Sequence, residues 1–169
     1  MPLSNTEPRR GATATPAVVT VGLVTRMLRE AFEGPPGPWT YFTEAGPGHG
    51  LFASLDGMTA AQASKTGGPS QSTIAGHVRH ISASLALAAR RLRGEQAPRD
   101  RSQSWTVHRV DETQWAGVVA EARSAYQDLR VTVEMRSVWD EDAVGEAFGA
   151  IAHVAYHLGA IRQRIERRS

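Results

Sequence analysis

The sequence predicts an all-α fold, a bundle of four long helices, and three observations support this class. Apolar residues recur every three or four positions in four separate segments, which is the period of a buried helix face. The 16 glycines and 9 prolines stand mostly before residue 71, so they mark loops and leave the second half free for regular structure. The one β-branched run, at residues 131–133, has no partner strand and cannot form a sheet alone.

Length and charge limit the kind of protein. A chain of 169 residues suits one hydrophobic core. We predict a flexible N-terminal tail at 1–16 and a single helical domain at 17–169. The net charge is +2 and the arginines are spread along the chain, so no nucleic-acid partner is expected. Without an apolar leader or an 18-residue apolar run, we expect a cytoplasmic protein with no membrane partner.

The first helix is predicted at 17–32, where an apolar stripe recurs at helical spacing: Val21, Val24, Leu28 and Ala31. Arg26, Arg29 and Glu30 are placed on its surface. Two proline- and glycine-rich stretches follow, on either side of Trp39, Tyr41 and Phe42. Because proline removes a backbone donor, this segment predicts a long first crossover loop with aromatic anchors. A short helix is expected within 51–64.

The second helix has the clearest amphipathic pattern. It starts near Thr73 and runs to about Arg93, and its apolar stripe alternates four- and three-residue steps, as in bundle packing: Ile74, Val78, Ile81, Leu85, Ala88 and Leu92. The third helix is predicted at 111–133, because Asp111 and Gln114 form a capping-box pattern before a new stripe. The fourth opens near Asp140 with acidic residues and closes with arginines, which suits the helix dipole.

Six histidines are the candidate functional residues. His49 lies in a glycine-rich loop and His108 in a polar connection, so both are interpreted as surface residues. His153 and His157 are four positions apart, so their side chains share one face of the fourth helix within roughly 6 Å at the β-carbon. This spacing predicts half or more of a divalent-metal site. The zinc-protease pattern is absent, because Val154 stands where its glutamate would be.

The third ligand would come from the second helix, which carries His77 and His80. Helical periodicity favours His77, since it lies closer to the apolar stripe. Glu146 shares the face of the fourth helix but lies roughly 10 Å along its axis from His153, too far for a ligand. An alternative interpretation is that no metal is bound and the histidines are packing residues.

The stretch from Thr73 to Ile81 and the later stretch from His153 to Gln163 resemble the DinB-like, YfiT-like metalloenzyme superfamily over roughly 17–166. The resemblance implies a four-helix bundle with an up-down-down-up arrangement. It also implies a divalent ion, Zn or Ni, held by one histidine of the second helix and the two of the fourth. Since the family ligand stands seven residues after Thr73, the implied set is His80, His153 and His157. Relatives often pair, so a homodimer is a further expectation.

The resemblance implies a small metalloenzyme acting on a small-molecule substrate. An open three-histidine ion could activate water, as in a hydrolase, or a low-molecular-weight thiol, as in a thiol-dependent transferase. The chain has no cysteine, so the thiol would be external. The alternative is a non-catalytic metal- or ligand-binding stress-response protein of the same fold.

Overall fold

The computed structural model describes residues 17–46, 48–66, 72–98 and 109–166. Within these ranges the chain forms six helices and no strand: α1 (Ala17–Glu33), α2 (Leu51–Leu55), α3 (Ala60–Ala63), α4 (Ile74–Leu92), α5 (Glu112–Met135) and α6 (Glu141–Glu166). The predicted all-α class is confirmed. The predicted tail at 1–16 and His108 lie outside the described residues. No helix in the described part of the chain is both long and apolar enough to cross a membrane.

The four long helices enclose one hydrophobic core. Helices α1 and α4 each pack against both α5 and α6, so α1 and α4 lie at opposite corners. The stripe predicted for α4 is buried along its whole length, with exposure no greater than 3%. The α5 residues Trp115, Ala122 and Tyr126 close the core from the other side. The helical periodicity therefore identified the packed faces correctly.

The predicted helix starts are confirmed by their caps. The Thr73 side chain accepts the backbone N–H of Gly76, and Asp111 and Gln114 form both hydrogen bonds of a capping box. Asp140 Oδ1 accepts the backbone N–H of Ala143 at 2.8 Å. Each cap satisfies a donor that the first turn leaves without an intrahelical partner.

Two local predictions need correction. The segment at 51–64 forms two short helices, because Gly57 adopts a positive φ of 67° and Thr59 starts α3 with its own capping box to Gln62. The first helix also buries a residue that the sequence placed on its surface. Glu30 is 2% exposed, and its carboxylate accepts the backbone N–H groups of Tyr41, Phe42 and Thr43 at 2.8 Å each. The aromatic segment of the crossover loop is therefore bound to α1 by a buried carboxylate.

The crossover loop also closes on itself where it leaves α1 and enters α2. Gly34 has a positive φ of 90°, and Gly50 lies directly against it. A Cβ added at Gly50 would lie 2.4 Å from the backbone nitrogen of Gly34 and 2.7 Å from the carbonyl carbon of Glu33. Only glycine allows this approach without moving the backbone.

Candidate metal centre

Helix α6 supplies two of the candidate ligands. Val154, Leu158 and Ile161 are buried against the bundle, and this packing fixes the rotation of the helix about its axis. His157 is consequently 3% exposed, whereas His153, one turn earlier, is half-buried. The two ring centroids are 4.5 Å apart, so the four-residue spacing places both imidazoles in one site.

Helix α4 supplies the facing histidines. Its first two turns are buried almost all round, so both His77 and His80 point into the bundle, with exposures of 5% and 4%. The structure thus explains why periodicity and family pattern favoured different residues, since both are inside. Both contact His157, and His80 also contacts His153.

Three imidazoles converge between α4 and α6. His80 Nε2 and His153 Nε2 are 2.8 Å apart, and the ring centroid of His157 lies 4.9 Å from that of His80. One ring nitrogen from each of His80, His153 and His157 can be chosen so that all three lie within 4.8 Å of one another. This is the one such group of histidine or acidic side chains within 17–46, 48–66, 72–98 and 109–166. The three predicted ligands are therefore brought together.

The donor set fits a divalent transition metal. Zinc lies about 2.0–2.1 Å from imidazole nitrogen, so neighbouring ligands in a tetrahedral site are about 3.3 Å apart. The His80 and His153 nitrogens are closer than this, and none of the three is farther apart than 4.8 Å. Binding one ion would require the three nitrogens to move to about 3.3 Å from one another. A three-histidine set leaves a coordination position open, as in catalytic sites.

A series of side-chain hydrogen bonds leads from His157 away from the three-histidine group. His157 Nδ1 and His77 Nδ1 are 2.9 Å apart, and His77 Nε2 is 3.1 Å from Ser72 Oγ. Arg164 Nη2 donates to the same Ser72 oxygen at 2.6 Å. These hydrogen bonds connect Ser72, the residue before the α4 cap, to Arg164 near the end of α6.

Burial keeps these imidazoles in the neutral form that binds metal. Burial lowers the pKa of His157 to about 3, and the neighbouring rings of His153 and His77 act in the same direction. Burial also lowers the pKa of His77 to about 4, assisted by the positive charge of Arg164. An ordinary histidine titrates near pH 6.5. At neutral pH both rings are therefore uncharged and can offer a lone pair.

The other residues considered from the sequence lie outside the cluster. His49 Nδ1 is 3.2 Å from Glu44 in the crossover loop, and Arg162 of α6 donates to the same carboxylate. Tyr156 is 72% exposed, in keeping with its lack of an assigned role. Glu146 accepts a hydrogen bond from Arg91 at 3.4 Å, and it is not a member of the ligand group.

No sequence pattern marks Ser72 or Arg164 as a site residue. Ser72 precedes the predicted start of the second helix, and Arg164 is one of several arginines that suit the end of the fourth. Ser72 contacts His77 five positions later, and Arg164 enters the site through its contact with Ser72, 92 positions away. No local spacing or motif reports such a contact, so only the folded structure could reveal it.

A comparison of the chain with protein families, with characterised proteins and with solved structures finds no match.

Proposed function

We propose that the chain is a metal-dependent enzyme in which His80, His153 and His157 hold one divalent ion, zinc or nickel. The observation that carries the proposal is the convergence of three imidazole nitrogens from two facing helices within 4.8 Å. Bundle cores are a recurrent place for metal sites built in this way. The two histidine motifs that resemble the DinB-like superfamily support the same ligand set and an up-down-down-up bundle.

An ion held by three neutral imidazoles keeps its full positive charge and would lower the pKa of a water or thiol at its open position. The ligand group contains no carboxylate, so this charge is not compensated by the first ligands. His153, half-buried, marks the side on which the cluster approaches solvent. A small electrophile and its nucleophile could meet there.

We infer that the nucleophile is water or an external low-molecular-weight thiol. With no cysteine in the chain, the protein has no thiolate of its own. In the thiol reaction the S–H proton passes to solvent or a base, sulfur bonds to the electrophilic carbon, and the leaving group departs with its electron pair. In the water reaction, oxygen takes the place of sulfur.

Elemental mass spectrometry of the purified protein tests the site. We expect one Zn or Ni ion per chain in the wild type and in His49→Ala, a histidine outside the cluster. His153→Ala should lose most of the metal, because two imidazoles hold an ion poorly. Wild type without stoichiometric metal, or His153→Ala with a full complement, would defeat the assignment.

Activity tests the enzymatic part of the proposal. Candidate electrophiles are incubated with water alone or with several thiols, using the metal-loaded wild type and a variant with alanine at positions 80, 153 and 157. We expect turnover by the wild type only. Equal rates in both proteins would leave a non-catalytic metal- or ligand-binding protein as the better account.

A further inference from the structure

A fourth histidine, His77, is buried beside the proposed ligands without belonging to their group. Its Nδ1 lies 2.9 Å from Nδ1 of His157, and the two ring centroids are 5.1 Å apart. Of the four clustered rings, His77 is the one whose nitrogens contact both a proposed ligand and the Ser72 hydroxyl. What His77 does at the site therefore depends on which nitrogen of His157 it is hydrogen-bonded to.

The contact decides how His157 can bind an ion. An imidazole has two nitrogens, and Nδ1 of His157 lies 2.9 Å from Nδ1 of His77, so a bond to His77 is compatible with metal binding through Nε2. A neutral ring that binds through Nε2 carries its proton on Nδ1. That proton points at His77, so His77 Nδ1 must be the acceptor.

The proton positions of the next two hydrogen bonds follow in the same way. If His77 Nδ1 accepts, the His77 proton is on Nε2, which then donates to Ser72 Oγ at 3.1 Å. The Ser72 oxygen also accepts from Arg164, and a hydroxyl oxygen has two lone pairs for these two donors. The two imidazole donors, His157 Nδ1–H and His77 Nε2–H, thus each face an acceptor when His157 binds through Nε2.

We propose that His77 is a positioning residue of the metal site: it accepts the Nδ1–H of His157, which fixes that ring with Nε2 toward the ion. The proposal rests on the proposed metal function. Partners of this kind fix the tautomer and orientation of metal-binding histidines, and their loss typically weakens metal affinity 10- to 100-fold. Here the partner is another imidazole in place of the usual carboxylate or carbonyl.

The zinc dissociation constant, measured by competition with a chelator, tests the proposal. His77→Leu replaces the imidazole with an apolar side chain of similar size and removes the acceptor, so we expect zinc affinity to fall about 10- to 100-fold at an unchanged one ion per chain. His77→Asn places an amide oxygen near the Nδ1 position and should recover most of the affinity. Ser82→Ala is the matched control, since Ser82 is buried on α4 and bonds only Val78 of its own helix.

Nitrogen-15 NMR of the histidine rings provides a readout that a merely structural role would not change. In zinc-loaded wild type, His157 should show a protonated Nδ1 and a metal-bound Nε2. In metal-free His77→Leu the ring should exchange between tautomers. If His77→Leu does not fold, Ser72→Ala carries the test, with an expected affinity loss of less than about tenfold.

Three results would overturn the proposal, and they differ from one another. Wild-type affinity in a folded His77→Leu would show that His77 does not act through His157. Loss of most of the zinc in His77→Leu, as expected for His80→Ala, would make His77 a ligand. Absence of zinc from the wild type would defeat the proposed function itself.

Discussion

At the scale of single residues, the chemistry of the site depends on how burial shifts the pKa of each ionisable group. Burial lowers the pKa of His77 and His157 and so favours the uncharged rings that metals bind. Glu30 is equally buried but stays ionised. Burial opposes its charge, yet the backbone N–H groups of Phe42, Tyr41 and Thr43 outweigh burial and lower its pKa. The outcome is set by the hydrogen-bond donors that each group meets.

Replacing Glu30 tests how strongly its carboxylate holds the crossover loop. In Glu30→Gln one of the two acceptor oxygens becomes an NH₂ group that faces backbone donors. Hydrogen bonds to a charged group contribute about 1.5–3 kcal/mol each, so we expect the free energy of unfolding in urea to fall by about 2–4 kcal/mol. Glu134→Gln, which alters an exposed partner of Arg130, should change it by less than about 0.5 kcal/mol.

The same substitution should change how stability depends on pH. Because the folded-state pKa of Glu30 lies below its ordinary value of 4.5, its contribution is fully present above pH 4.5 and is lost as pH falls through the folded pKa. Wild type should therefore lose more stability below pH 4.5 than Glu30→Gln does. Parallel curves of unfolding free energy against pH would contradict this account.

Sequence spacing could predict some site residues and not others. His153 and His157 are neighbours on one helix, so their proximity follows from local geometry alone. The choice between His77 and His80 could not be made from periodicity, because the first turns of α4 are buried on nearly every side. Arg164 contacts Ser72, 92 positions away, and Glu30 contacts backbone groups 11–13 positions away, so their roles depend on the folded arrangement.

At the scale of elements, the crossover loop is held closed by the approach of Gly50 to Gly34. In Gly50→Ala the new Cβ would collide with backbone atoms, which cannot rotate away as a side chain can. We expect the free energy of unfolding to fall by about 1–3 kcal/mol, measured by urea denaturation. Gly37→Ala is the control within the same loop, since a Cβ there meets nothing within 4 Å. Equal stability of the two variants would disprove the close contact.

The α5 cap allows a second test at this scale. Asp111→Ala removes the acceptor for the Gln114 backbone N–H at 2.7 Å, so we expect a loss of about 1 kcal/mol in unfolding free energy. Thr113→Ala changes an exposed side chain in the first turn and should have a smaller effect. Unchanged stability of Asp111→Ala in urea would mean that the capping box does not support the helix.

Helix positions were predictable because caps and periodicity are local signals. Thr73, Asp111 and Asp140 each begin a helix at or next to the predicted start. The crossover loop was predictable only as a loop. Its closure at Gly50 and its attachment to Glu30 join residues that are far apart along the chain, and proline and glycine content does not report such contacts.

At the scale of the whole molecule, an ion at the proposed site would join α4 to α6. A ligand that binds only the folded state stabilises it by about 2.7 kcal/mol at 100 times its dissociation constant. For a chain of this size we expect zinc to raise the melting temperature by about 5–10 °C. His49→Ala should show the same rise and His157→Ala little or none. An equal rise in His157→Ala would place the zinc elsewhere.

The helix arrangement was the part of the fold that the sequence left least determined. Four amphipathic stripes predict that four helices share a core, but the stripes do not specify which helices are neighbours. That pairing places α4 beside α6, and it alone brings His80 to His153. The proposed metal site is therefore a property of the assembled bundle, although each proposed ligand stands on a helix that was predicted correctly.

X-ray absorption at the zinc K edge of the zinc-loaded protein tests the central claim most directly. The proposed site predicts three imidazole nitrogens at about 2.0–2.1 Å and one further light atom at the open position. It also predicts loss of one imidazole contribution in any His80→Ala protein that retains zinc. A wild-type spectrum with fewer than three imidazoles, or one that His80→Ala leaves unchanged, would contradict the three-histidine site.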